Sequence, residues 1–291
     1  AQQAESIYGM SRLTGHDATR GFAATGEIEF RWKPGADMSK IAGNTLNIQS
    51  RAQLKFDANG LMYTLLNSND SFKLEKTNYR SIKTAIIQGK FESQTLTSSG
   101  EKLQSFSINT GGITDHTKIS VSVNGELWTK HESLYDLGSE EKAYLVKTGI
   151  SGGLDLYFGN GSFGMIPPNG ATIEVEYVKH SGMAGNLDDS PDLTIKWDAV
   201  GTDSNGTEHD LNQFLDVTIN SSPKMGGDRE DTRFTKIMTP MASKSFVLAT
   251  PDNYEYFLSR YNMFSYIDAY NTTDDQYLDD DNVIYIFAVP D

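Results

Sequence analysis

Residues 154–186, LDLYFGNGSFGMIPPNGATIEVEYVKHSGMAGN, permit few folds. Leu154, Leu156 and Phe158 alternate at the start, and Ile173, Val175 and Tyr177 alternate near the end. That two-residue period belongs to half-buried strands. The loop between them is dense in Gly and Pro. Gly159, Gly161 and Gly164 spell G-x-G-x-x-G, but a dinucleotide fingerprint needs a helix opening there, whose free N–H groups hold the pyrophosphate. Pro167, Pro168 and Gly170 follow at once and then a strand, so the glycines are read as a structural turn and no cofactor is expected.

The same alternation recurs in short blocks over 26–106. Ile28 with Phe30, Leu46 with Ile48 and Leu54 with Phe56 each read as a strand. Asn59-Gly60 turns the chain before Leu61, Tyr63 and Leu65, and Ile82, Ala85 and Ile87 form a strand ended by Gly89. Further on, Ile119, Val121 and Val123 lead through Asn124-Gly125, a pair suited to a type I′ hairpin, into Glu126, Leu127 and Trp128. Leu134, Tyr135, Asp136 and Leu137 read as a short helical turn. Residues 144–147 read as a strand pairing with the one at 154–158. Trp128, Tyr144 and Phe158 are expected in the core, with no sign of an exposed aromatic platform. Leu215, Val217 and Ile219 give one more strand.

Helical signals lie toward the two ends. Ile7, Met10 and Leu13 share a helical spacing that Gly15 stops. Arg12, His16 and Arg20 near it are read as exposed charges. Residues 226–232 place glycines before an acidic first turn, and Pro240 interrupts the pattern that follows. Thr250 caps, Pro251 opens and Asp252 favours a helix that carries Tyr254, Phe257, Leu258 and Tyr261 on one face. Strands at 264–270 and 283–289 flank an acidic tip, Asp274, Asp275 and Asp279 to Asp281, read as a hairpin end protected from edge pairing. The fold expected is α+β and mostly β: multi-lobed, with small antiparallel β domains and a C-terminal lobe of helix plus strands.

With 291 residues the chain has room for two domains at about 150 residues each. Asp and Glu number 39 against 25 Lys and Arg, a formal charge of −14 that disfavours a phosphate backbone. Cysteine is absent, which removes disulfides, thiolate metal sites and thiol nucleophiles. No run of about 18 apolar residues offers to span a bilayer. A start at Ala1 and an end inside an alternating run lead us to expect a piece of a longer polypeptide.

Catalytic patterns are weak. Glu174, Glu176 and Asp155 sit at alternate strand positions and are read as solvated surface. His16, His116, His131, His180 and His209 show no metal-ligand spacing. Asp203, Asn205 and Gly206 only superficially resemble a calcium loop, because the other ligands are out of step, and a surface turn is preferred. Catalytic, cofactor and metal residues are therefore all expected to be absent.

Phe158, Gly159, Asn160 and Gly161, then Phe163, Gly164, Pro167, Gly170, Ile173, Val175 and Tyr177, closed by Gly182, Gly185 and Asn186, resemble the central motif of the baseplate J-like proteins. That family includes the large wedge protein of T-even-type bacteriophage baseplates and serves contractile machines: myophage tails, tailocins and type VI secretion systems. The V-x-V-N-G-E-x-W passage at 121–128 is similar to the family's upstream hairpin, and the resemblance runs continuously over about 94–187. Weaker similarity touches 8–13, Ala23 and 26–30, and the chain also resembles the family at 45–46 with 61–64 and over 226–254.

The resemblance implies a structural virion protein of the tail baseplate, assembled in the host cytoplasm, and not an enzyme. It further implies a self-dimer within each wedge, contacts with other wedge proteins including a sheath-initiating one, and with central hub or tube proteins. The ring so formed takes part in the rearrangement that triggers sheath contraction. The domains expected are the end of a helical region at 1–20, a small β domain at 21–93, a central β domain at 94–187, a connecting segment with strand and helix at 188–245, and the start of an α+β lobe at 246–291. The alternatives are a carbohydrate-binding tail adhesin, which needs two or three exposed aromatics near Asp or Asn, and a glycan-cleaving tail enzyme, which needs two convergent carboxylates.

Overall fold

A computed structural model describes residues 2–66, 71–149, 153–189, 193–244, 250–259, 263–271 and 283–290. The chain is α+β and mostly β, built from small sheets and a few short helices. It forms two compact units. Ala1–Phe22, Gln94–Glu176 and Asp228–Asp291 make the first, and Ala23–Ser93 with Tyr177–Gly227 make the second.

The second unit holds two antiparallel sheets. One runs in the order Ile195–Trp197, Gln53–Phe56, Met62–Leu66, Ile82–Gln88, Thr25–Trp32, Leu215–Lys224. The other runs Glu208–Asp210, Val200–Asp203, Thr45–Gln49, Ser71–Glu75. Alternation turns one side of each strand inward, so Ile28, Phe30, Leu46, Ile48, Leu54 and Phe56 are fully buried in one shared core. Each such side chain contributes about 1.5–3 kcal/mol by leaving water. Trp197 closes the core edge to face on Phe30, with ring centroids 5.3 Å apart.

Strands from 195–224, within the stretch read as a connecting segment, take part in both sheets, and Ile28 and Phe30 lie opposite Ile219 and Val217. Residues 21–93 alone would leave the strand Thr25–Trp32 as an open edge. A smaller correction concerns the strand Ile82–Gln88: Ala85 is exposed while Ile86 and Ile87 are both buried. Ile82 and Ala85, three apart, stand on opposite faces of a strand.

In the first unit, one sheet is ordered Thr129–His131, Ala143–Thr148, Leu154–Phe158, Ser105–Ile108, its first pair parallel and the others antiparallel. A further sheet is ordered Glu126–Leu127, Ile113–Val123, Thr172–His180, Lys90–Thr97, and the chain changes unit within the last two of these strands. Asn124 and Gly125 both have positive φ, 50° and 80°, as a type I′ turn requires. Trp128, Tyr144 and Phe158 are buried, Trp128 edge to face on Phe158 at 5.5 Å. The interior strand Leu154–Phe158 is buried on both faces, which puts Asp155 at 8% exposure and overturns its reading as solvated surface. Leu134 and Leu137 close a turn through Leu137 N–H and the Leu134 carbonyl at 3.2 Å, and no helix forms there.

Helix Gln2–Leu13 forms at the expected spacing but does not bury every residue of that spacing. Met10 and Leu13 are 65% and 88% exposed, whereas Tyr8 and Ser11 are buried. Helix Thr232–Lys244 continues through Pro240. Helix Pro251–Ser259 begins where expected: the Asn253 carboxamide oxygen accepts from both the backbone N–H and the hydroxyl of Thr250, at 3.1 and 2.7 Å. Behind it Phe264–Tyr270 pairs antiparallel with Tyr285–Pro290, and the Glu255 carboxylate accepts the Ala269 N–H at 2.8 Å. The acidic tip and Tyr261 lie outside the described residues. Among those described, no helix is long and apolar enough to cross a membrane.

Candidate functional site

The Phe-Gly-Asn-Gly segment folds back on itself as it leaves the strand Leu154–Phe158. The Asn160 side-chain oxygen accepts the N–H groups of Ser162 and Phe163, both at 2.8 Å, which pins an Asx-type turn. Asn160 N–H then reaches the Phe163 carbonyl at 3.2 Å, and Gly161 N–H the Gly164 carbonyl at 3.0 Å. A Cβ on Gly159 would overlap the backbone of Gly164, so only glycine allows the two arms to close. Gly164 itself has φ +75°.

Neighbouring segments anchor this loop. Gly164 and Met165 donate to the carbonyls of Gly138 and Glu141, at 3.1 and 2.8 Å. The buried Pro167 carbonyl accepts the Ser98 hydroxyl at 2.9 Å, and Gly170 N–H reaches the Ser98 carbonyl at 2.9 Å. Leu103 N–H donates to the Gly159 carbonyl at 3.1 Å and holds Leu103 at φ +55°. That left-handed conformation is costly for a bulky residue.

One wall of a groove results. About 320 Å³ in volume, it is lined by Leu103, Leu134, Leu145, Tyr157, Phe158 and Phe163, with Glu132, Ser133, Tyr135 and Asn160. Phe158 is fully buried, whereas Tyr135 is 80%, Leu103 61% and Phe163 40% exposed. Tyr135 and Phe163 meet at a steep angle with centroids 5.7 Å apart. Such an exposed aromatic pair was not expected from sequence, because alternation marks strand faces but is silent about loops.

Of the remaining motif residues, Tyr177, Gly182, Gly185 and Asn186 fall in the second unit. Tyr177 is buried. The Gly185 carbonyl accepts the Tyr63 hydroxyl at 2.6 Å, and burial pushes that phenol above its ordinary pKa. Asn186 clamps Gly226, accepting its N–H at 2.6 Å and donating to its carbonyl at 2.9 Å.

Two ionisable clusters lie elsewhere. In the first unit His16 and Arg20, expected at the surface, are 4% and 2% exposed. His16 Nε2 meets Glu230 Oε1 at 2.6 Å, and Glu230 also accepts from the Thr235 hydroxyl and the Thr19 N–H. Burial alone would raise the Glu230 pKa, but these donors and the neighbouring imidazole bring it below the ordinary value. Arg20 donates to the Thr148 hydroxyl at 3.2 Å and the His116 carbonyl at 2.9 Å. Burial, then the Arg20 charge, hold nearby Lys130 below the usual lysine range. The side chain of Arg12 is not among those described.

In the second unit the calcium-like loop turns its carboxylate inward. Asp203 accepts from His209 Nε2 and Ala42 N–H, both at 2.9 Å, and from the N–H groups of Asn205 and Thr207, at 2.9 and 3.0 Å. The His209 hydrogen bond, then the backbone donors, depress its pKa strongly. The carboxylate thus ties a hairpin to the segment before Thr45–Gln49. Among the described residues no group of three or more His, Cys, Asp or Glu is placed to hold a metal ion.

No protein-family model matches the chain, and no curated protein matches it.

Proposed function

We propose that the protein is a structural component of a contractile-tail baseplate wedge that works through protein–protein contact and not through catalysis. In this reading it sits in the virion's tail baseplate after assembly in the host cytoplasm. It pairs with a second copy of itself within a wedge, joins other wedge proteins including a sheath-initiating one, and helps form the ring around the central hub. The observation that carries the reading is how the motif residues are used: Gly159, Asn160 and Gly164 shape a loop that presents Phe163 beside Tyr135 at the surface. Exposed aromatic and aliphatic side chains gathered in one place are the mark of an interaction surface.

The test is the solution mass of the full-length protein, alone and mixed with the other tail proteins of its own gene neighbourhood. A dimer that grows into a defined hetero-complex is expected. A stable monomer indifferent to those proteins would overturn the reading.

A carbohydrate-binding tail adhesin is the second reading, and one observation favours it. Tyr135 and Phe163 form an exposed aromatic pair in a groove that Asn160 also lines. Glycan binding by the stable monomer would promote it.

A further inference from the structure

We propose that the groove beside the Phe-Gly-Asn-Gly loop receives a segment of a partner protein that carries a large apolar side chain flanked by Lys or Arg. The inference rests on the structural reading only in taking the occupant to be protein.

Depth and lining define the apolar part. The groove descends from exposed Tyr135, Leu103 and Phe163 to fully buried Phe158. Aromatic and aliphatic walls over the buried ring of Phe158 suit one large side chain inserted as an anchor, the arrangement that concentrates binding energy at interfaces. Part of the polar lining serves the loop itself. Asn160 Oδ1 serves the N–H groups of Ser162 and Phe163, and the Ser133 hydroxyl accepts the Tyr135 N–H at 3.2 Å. A saccharide, whose hydroxyls need several partners, is the poorer fit.

Charge supplies the flanks. Residues 132–141, ESLYDLGSEE, hold Glu132, Asp136, Glu140 and Glu141 and no Lys or Arg. This segment both lines the groove and is tied to the loop through the Gly138 and Glu141 carbonyls. Glu132 at the slot and the acidic segment that follows it draw in a basic partner and disfavour an acidic one. The strained backbone of Leu103 adds an independent pointer. A leucine kept left-handed and 61% exposed is placed by its surroundings at a cost, and such outliers gather at ligand clamps.

The probe is a synthetic peptide with a central Leu-Trp pair between two Arg pairs, titrated into the full chain by calorimetry and followed by backbone amide shifts. Two controls replace the Arg pairs by Glu or the Leu-Trp pair by Gly-Gly. Saturable binding is expected, weakened at least about tenfold in each control, with shifts concentrated at 132–135 and 157–163. Tyr135→Ala and Phe163→Ala should each weaken binding about tenfold while leaving thermal unfolding unchanged. No saturable binding, equal binding of the controls, or binding that both variants retain would overturn the proposal. So would malto-, cello- or chito-oligosaccharides shifting those amides while the peptide stays silent. A protein that assembles with its tail neighbours but ignores the peptide keeps the wedge reading and loses this one.

Discussion

His16 Nε2 lies 2.6 Å from Glu230 Oε1, and the two side chains are only 4% and 6% exposed. This contact joins the segment after helix Gln2–Leu13 to the start of helix Thr232–Lys244, and the Tyr8 hydroxyl adds a bond to the Glu230 carbonyl at 2.9 Å. Removing one partner strands the other away from water. His16→Ala and Glu230→Gln should each cost about 3–5 kcal/mol in urea denaturation, and the double variant should cost less than their sum.

The Glu230 carboxyl also sets a pH dependence. Its folded pKa is below the ordinary glutamate value, so the unfolded chain binds the proton more readily. Its contribution is present in full above the ordinary glutamate range and is lost as pH falls through the depressed folded value. Wild-type stability should fall with pH in that acidic window. Glu230→Gln should flatten this part of the profile.

Gly159 and Gly164 separate two kinds of glycine requirement. At Gly159 a Cβ meets backbone, whereas at Gly164 the nearest atom is 3.4 Å away and the difficulty is φ +75°. Gly164→Ala should cost about 1–2 kcal/mol. Gly159→Ala should cost more and should disturb the amide shifts of the whole loop. Equal costs would show that the close approach is not needed.

Leu103 offers the opposite sign. Gly adopts the left-handed backbone without steric cost, whereas Leu holds it at a cost, so Leu103→Gly should raise stability by up to about 1 kcal/mol. Leu103→Ala keeps the Cβ and should show no such gain. Thermal melts of the pair decide it.

Asp203 is predicted to be a structural carboxylate. Asp203→Asn should lower the melting temperature, and added calcium should leave the wild-type melting temperature unchanged. Because its folded pKa is depressed, its stabilisation is present above the ordinary aspartate range and fades as pH falls below it. A calcium-dependent rise in melting temperature would reassign the loop.

Strand identity was legible wherever one face is buried and the other is not. Ile28, Phe30, Leu54 and Phe56 show the alternation and lie in the core, and Asn124-Gly125 has the backbone that its turn type demands. Asp155 was misread because its strand is covered on both faces, a state in which alternation carries no information. Burial of His16 and Arg20 was invisible because their partners, Glu230 and Thr148, are 214 and 128 residues away. The groove was hidden for a related reason. Tyr135, Phe163 and Leu103 come from three separate loops, and no local pattern reports that they meet.

The strand Thr25–Trp32 has a consequence for synthesis. One of its neighbours, Ile82–Gln88, follows within a short stretch of chain, but the other, Leu215–Lys224, arrives much later, with Thr218 and Glu29 separated by 189 residues. A ribosome adding about 5–20 residues per second leaves that edge uncovered for roughly ten seconds or longer. A nascent chain with Ile28 and Phe30 at an open edge invites pairing with its neighbours on the same message. Expression yield should therefore respond to anything that shields this edge during translation, such as slower initiation or a holding chaperone, even where the finished fold is unchanged.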